Sequence, residues 1–155
     1  MRIQDQIVKM TQRALDEVCE ASLDVPKDME DWCPMETACS VLAQMRELAV
    51  TPDAVMPVIR LRSTVVDAEN LAVVKPDDEY RLATLELCVD EARRSFSVLC
   101  QEIGSFPDTE LDTEVLTAGG GETLTMADVL ALPFTRLVFH LGQIQQIQAM
   151  LSRES

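Results

Sequence analysis

Apolar residues recur along much of this chain at alternating spacings of three and four, the signature of one face of an α-helix. Ile3, Ile7, Met10, Ala14 and Val18 begin the pattern and predict a first helix over residues 3–23. Pro26 and the acidic stretch KDMEDW interrupt it, and CPMETACSVLAQMREL (33–48) restarts it. Pro34 suits a first helical turn, where a missing N–H leaves no bond unmade. Met35, Ala38, Leu42, Met45 and Ala49 then form the predicted inward face of a second helix. The clearest run, Leu82, Leu85, Val89, Ala92, Phe96, Leu99 and Ile103, predicts a third helix over about 77–104. A fourth, about 126–152, starts behind a predicted cap: Thr125 offers a hydroxyl to the first turn and Asp128 suits the positive end of the helix dipole. Pro133 is its expected kink.

The connectors suggest how these helices are joined. Residues 51–76 carry Pro52, Pro57 and Pro76 and read as irregular, long enough to return along a helix of about 30 Å. The second and third helices can therefore run parallel, whereas the short link between the first two predicts antiparallel neighbours. Near GGG at 119–121, EVL and ETLT read as the arms of a small hairpin. The expected fold is all-α: a four-helix bundle in up-down-down-up order, forming a single domain over residues 1–155.

Composition narrows the picture. Hydrophobic residues make up 47% and aromatics only 4%, so the core should be aliphatic and methionine-rich. Twenty-seven acidic residues against 13 basic ones give a net charge of −14, which disfavours nucleic acid and anionic membrane surfaces as partners. No apolar run approaches the roughly 20 residues of a membrane span. MRIQDQIVKM lacks the apolar region of a signal peptide, so the expected location is cytoplasmic. The cysteines, Cys19, Cys33, Cys39, Cys88 and Cys100, form no CxxC pair and read mostly as small buried hydrophobes. Cys33 and Cys39 could stand near a pocket as nucleophiles or soft ligands, although no basic residue lies nearby in sequence to activate them.

Two short stretches carry candidate chemistry: WCPMETACS at 32–40 and FHLGQIQQI at 139–147, which holds the only histidine, His140. Together with the bundle pattern they resemble the DinB-like superfamily. The first is similar to the W-S-P-x-E start of that family's second helix, and the second to H-x-x-x-H-x-G-Q-I in its last helix, with His140, Gly142, Gln143 and Ile144 in register. The resemblance implies a bundle in which three histidines hold a divalent metal. The helix-two histidine position is Ser40 here, and the first position of the i, i+4 pair is Arg136. Neither replaces imidazole as a ligand, so no metal and no other cofactor are expected.

The pocket candidates are thus Ser40, Arg136, His140 and Gln143. His140 reads as a buried, hydrogen-bonded remnant of the site. Gly142 would let a neighbouring helix come close, and Gln143 would tie helices through its amide. Arg136 either forms an internal ion pair, with Glu36 one candidate partner, or leaves the pocket able to take a small anionic or carbonyl ligand. The main reading is a metal-free binding or interaction module, with a homodimer as its partner expectation. The alternative is a transferase or hydrolase using His140 and Arg136. A Ser40–His140 hydrolase is remote, because no G-x-S-x-G elbow is present.

Overall fold

The computed structural model describes residues 1–62, 65–67, 72–118 and 122–154. Four long helices, α1 (Ile3–Leu23), α2 (Val41–Leu61), α4 (Leu85–Gly104) and α5 (Met126–Glu154), form a bundle, and α3 (Pro76–Arg81) is a single short piece. Three small strands, β1 (Val65–Val66), β2 (Glu114–Thr117) and β3 (Thr123–Thr125), lie side by side in that order. The predicted hairpin is β2 paired antiparallel with β3, Glu114 opposite Thr125, while β1 adds in parallel. GGG at 119–121 and part of NLAVV lie outside the described residues.

Side-chain bonds between helices set their directions. Arg93 on α4 donates to Asp16, and Arg2, preceding α1, reaches the Gly104 carbonyl at the far end of α4, so these two helices are antiparallel. Arg46 donates to the Leu82 carbonyl just before α4 and Arg60 pairs with Glu102 near its end, so α2 and α4 run the same way. Gln44 meets His140, and Cys39 shares a cleft with Met150, so α5 runs against α2. The order is up-down-down-up, as expected. The neighbour relation differs: α1 packs on α4 and α5, as α2 does, so α1 and α2 occupy opposite corners. Residues 24–40, with their turn at Lys27–Met29, are long enough to cross the bundle end.

The face of α1 is also displaced. Ile3 and Met10 remain 51% and 37% exposed, while Gln4, Thr11 and Ser22 are buried beside Ile7, Ala14 and Val18. Burial is tolerable because each polar side chain finds a nearby carbonyl: Thr11 donates to Ile7, Ser22 to Cys19 and Gln4 to Phe106. A hydrophobicity pattern does not register such residues as core.

Helix α2 departs most from expectation. It begins at Val41, with the Ser40 hydroxyl accepting from the Ala43 N–H at 3.1 Å, so Pro34 lies outside it and Met35 is 61% exposed. It then continues through Pro52 and Pro57 to Leu61. An internal proline costs a helix about 3 kcal/mol. Here burial of Pro52, Val55, Met56 and Ile59 offsets that cost. Nearby hydroxyls also bond the helix's carbonyls, Thr51 to Glu47 and Ser95 to Ala49. The helix ends at Arg62 in the left-handed region (φ 52°), whose N–H bonds the Val58 carbonyl. That conformation is uncommon for a residue with a side chain. Two bonds to Glu110 at 3.1 and 2.9 Å and a position 4.3 Å over the Phe106 ring hold it there.

The third predicted helix is split into α3 and α4 at Leu82–Thr84, where Thr84 caps α4 by accepting from the Leu87 N–H. All seven residues of its predicted stripe are nonetheless buried. At the fourth helix the Thr125 and Asp128 side chains each take the other's backbone N–H, the reciprocal cap the sequence suggests. Phe96 is 1% exposed at the centre of this core. Phe96→Ala should lower stability by about 3–5 kcal/mol, measured as a shift in urea midpoint at unchanged slope.

Candidate functional site

His140 sits on the inner face of α5, 3% exposed, opposite the first two turns of α2. Its Nδ1 lies 3.0 Å from Gln44 Oε1, and the Gln44 amide nitrogen donates to the Cys39 carbonyl at 3.2 Å. The second bond orients the first. With its NH2 turned to Cys39, Gln44 presents its oxygen to the ring, so Nδ1 carries a proton and donates. The other ring nitrogen, Nε2, is buried and points at Glu47 Oε1 from 3.5 Å, too far for a good hydrogen bond.

Glu47 is shared. Arg136 Nη1 approaches the same Oε1 to 3.6 Å, so one carboxylate oxygen faces both the imidazole and a guanidinium. The polar contact with His140 is the largest influence holding the Glu47 carboxyl below its ordinary 4.5; burial opposes it, and the charges of His140 and Arg136 add to the lowering. Glu47 rather than the exposed Glu36 thus supplies a carboxylate to Arg136.

Tested as a metal site, this cluster offers two donors, Glu47 Oε1 and His140 Nε2. The third member is a fixed cation bearing on the same oxygen. Among the described residues no group of three or more His, Cys, Asp or Glu side chains comes together. The donor set does not fit a divalent ion, which needs at least three protein ligands in a site of this kind.

The sequence candidates end in different places. Arg136 and His140 meet at Glu47. The Ser40 hydroxyl is engaged in capping α2, and Gln44, one turn further on, is the residue that meets His140. Gln143 is exposed and lines a cleft of about 240 Å³ between the 34–39 segment and α5, together with Thr37, Cys39, Gln44, Gln146 and Met150. No charged side chain lines this cleft. The amide that ties α5 to a neighbour is that of Gln148, donating to the Ala21 carbonyl. Gly142 admits no close neighbour, because a Cβ there would meet nothing within 4 Å. Cys19, Cys88 and Cys100 are buried, and burial pushes their thiols up to about 11; Cys33 and Cys39 are exposed. Sequence reasoning missed Gln44 and Glu47. Reading Ser40 as an N-cap would have placed both on one helical face.

The up-down-down-up bundle is a fold found in solved DinB-like proteins. Comparison with solved structures agrees. A DinB-like protein, YjoA, from Bacillus subtilis superposes with a TM-score of 0.63 at 16% identity, covering 95% of this chain and 92% of that one. The mycothiol-dependent maleylpyruvate isomerase superposes with a TM-score of 0.65 at 13% identity, and a variant of it with 0.66 at 12%. This chain is covered to 93% in both cases but spans only 61% of the isomerase's length. The likeness is one of fold. No family model and no curated protein matches the sequence. Among the described residues no helix is long and apolar enough to cross a membrane.

The depressed Glu47 carboxyl makes stability depend on pH in a definite direction. A group whose pKa is lower in the folded state stabilises the fold above its unfolded value, and that contribution is lost as pH falls through the folded value. Glu47→Gln should therefore be less stable than wild type at neutral pH. The gap should narrow as pH drops below the ordinary 4.5. Thermal melts of both proteins from about pH 7 to about pH 3 measure it, and a gap independent of pH would contradict the ion cluster.

Proposed function

We propose that the protein is a metal-independent binding module of DinB-like fold, and that its cleft takes a small neutral ligand bearing carbonyl or amide groups. The observation that carries the reading is the single Glu47 oxygen facing both Arg136 and His140 Nε2. An internal ion cluster occupies the space between helices where the resemblance would put a metal. Arg136 already meets a carboxylate, so an anionic ligand would have to compete with Glu47. The adjoining cleft instead offers two exposed carboxamides, Gln143 and Gln146, each able to donate and to accept, while the Gln44 amide beside them is held by Cys39 and His140. Its apolar lining includes Met35 and Met150, so the ligand has an uncharged body. Five free cysteines favour a reducing compartment, consistent with a cytoplasmic protein.

A transferase or hydrolase using His140 and Arg136 is the second reading, favoured by the unpaired Nε2. It is weaker because less than 1 Å² of that atom is accessible, so a substrate would have to displace Glu47 to reach it.

Calorimetry against zinc and nickel should show no stoichiometric binding to the wild type. A panel of small neutral amides should raise its melting temperature while matched carboxylates do not. Stoichiometric metal, or stabilisation by carboxylates alone, would refute the reading.

The geometry also says how a metal site would be built. Gln44→His with Arg136→His places two new imidazoles beside His140, one across α2 and one a turn away on α5. This double variant should bind nickel or zinc, whereas Ser40→His with Arg136→His should not, because residue 40 is the cap of α2. Equal affinities in the two variants would show that Gln44 is not the facing position.

A further inference from the structure

Cysteine is among the most buried residue types, and Cys19, Cys88 and Cys100 follow that rule. Cys33 and Cys39 do not, and both stand on the segment that walls the cleft. That segment is a closed loop. The Leu42 N–H donates to the Glu30 carbonyl at 3.1 Å and joins the two ends of residues 31–41, and the Ala38 N–H donates to the Met35 carbonyl at 3.0 Å and turns the chain back. Trp32, packed against the core, anchors one side of the loop, and Ser40, buried and capping α2, anchors the other.

Cys33 directly follows the first anchor and Cys39 directly precedes the second, so the two thiols stand at the neck of the loop with the turn between them. Pro34, Met35, Thr37 and Ala38, which line the cleft, lie beyond this neck. The Cys33 thiol is held only loosely, 3.7 Å from the Asp31 carbonyl. Burial pushes the other three thiols up to about 11, which keeps them out of exchange with the solution.

We infer that Cys33 and Cys39 form a reversible disulfide by exchange with a small disulfide, and that this bond draws in the neck of the loop and weakens ligand binding in the cleft. The effect on binding rests on the ligand reading given above; the bond does not. One cysteine thiolate attacks a sulfur of the small disulfide, releasing a small thiolate and leaving a mixed disulfide. The other cysteine thiolate attacks the protein sulfur of that mixed disulfide and releases the second small thiolate. Two protein thiols are oxidised, the small disulfide is reduced to two thiols, and the protons leaving the cysteines pass to the departing thiolates.

The bond requires the two Cα atoms to lie within about 7 Å. Five residues separate the cysteines, a turn lies among them and the loop's ends are already joined, so the neck can close without disturbing either anchor. Cys39 lines the cleft and Cys33 does not, so the bond draws the Cys39 side chain off the cleft wall. The Cys39 carbonyl also accepts from Gln44, which holds His140, so movement at Cys39 reaches the seam between α2 and α5. In a reducing compartment the dithiol is the resting form, and the bond marks a passing oxidation.

Hydroxyethyl disulfide, uncharged and so not repelled by a chain of net charge −14, is the probe. Intact-mass spectrometry of the treated full chain should show the loss of two hydrogens and no retained hydroxyethylthio group, with a peptide map joining Cys33 to Cys39 and dithiothreitol restoring the starting mass. Emission from Trp32, the only tryptophan and the neighbour of Cys33, should fall as the bond forms. Cys33→Ser should instead keep one hydroxyethylthio group on Cys39. A wild type that stays fully reduced in excess probe, keeps the group on both cysteines, or links to a second chain overturns the proposal. Neutral amides that stabilise the reduced protein should bind the oxidised form about fivefold or more weakly, and equal affinity overturns control of the cleft. Amides that bind neither form reject the neutral-ligand reading alone, since mass and Trp32 emission decide the bond without them.

Discussion

One carboxylate oxygen, Glu47 Oε1, organises the seam between α2 and α5. Arg136 and the His140 ring converge on it from α5, and the same ring is held from its other side by Gln44, whose amide is itself fixed by the Cys39 carbonyl. A cation-bearing side chain that is mostly withdrawn from water needs a compensating charge nearby, and a buried imidazole needs its nitrogens accounted for. Glu47 answers the charge of Arg136 and Gln44 answers Nδ1 of the ring, two residues one turn apart on α2 that tie it to α5. The tie also places the 34–39 segment over α5, where the cleft forms.

Elsewhere the bundle depends on ordinary apolar burial, with a few polar residues admitted because their bonds are satisfied locally. Thr11 and Ser22 return their hydroxyls to their own helix, and Ser95 gives its hydroxyl to carbonyls on α4 and α2. The end where α2 and α4 finish is closed differently. Arg62 caps α2 in a left-handed conformation and reaches Glu110 and Phe106, while Gln4 bonds the Phe106 carbonyl and Asp108. These ties join the segment after α4 to both α1 and α2, so the connector that carries β2 and β3 is anchored to the bundle.

The acidic excess is unevenly spread. The cleft and the outward face of α5 are both free of charged side chains along their centres. In so charged a chain, uncharged surface is where a neutral ligand can approach with least electrostatic cost. Both features lie on α5, whose inner face supplies the ion cluster, so this one helix contributes to core, cleft and outer surface.

Much of the fold was legible in the sequence because helix periodicity is a local property. The stripe from Leu82 to Ile103 is buried residue for residue, the Thr125–Asp128 cap forms, and the hairpin arms pair. The resemblance drawn from FHLGQIQQI pointed to the right architecture, and the two residues it singled out, His140 and Arg136, come together at Glu47. What the sequence could not show was decided by contacts between segments distant in the chain. Burial against the other helices carries α2 through two prolines that local propensity would treat as breaks. The corner positions of α1 and α2 depend on how a connector crosses the bundle end. Glu47 and Gln44 meet His140 and Arg136 only because α2 packs against α5; a carboxylate or an amide on an amphipathic helix looks like surface until a buried partner from another helix faces it.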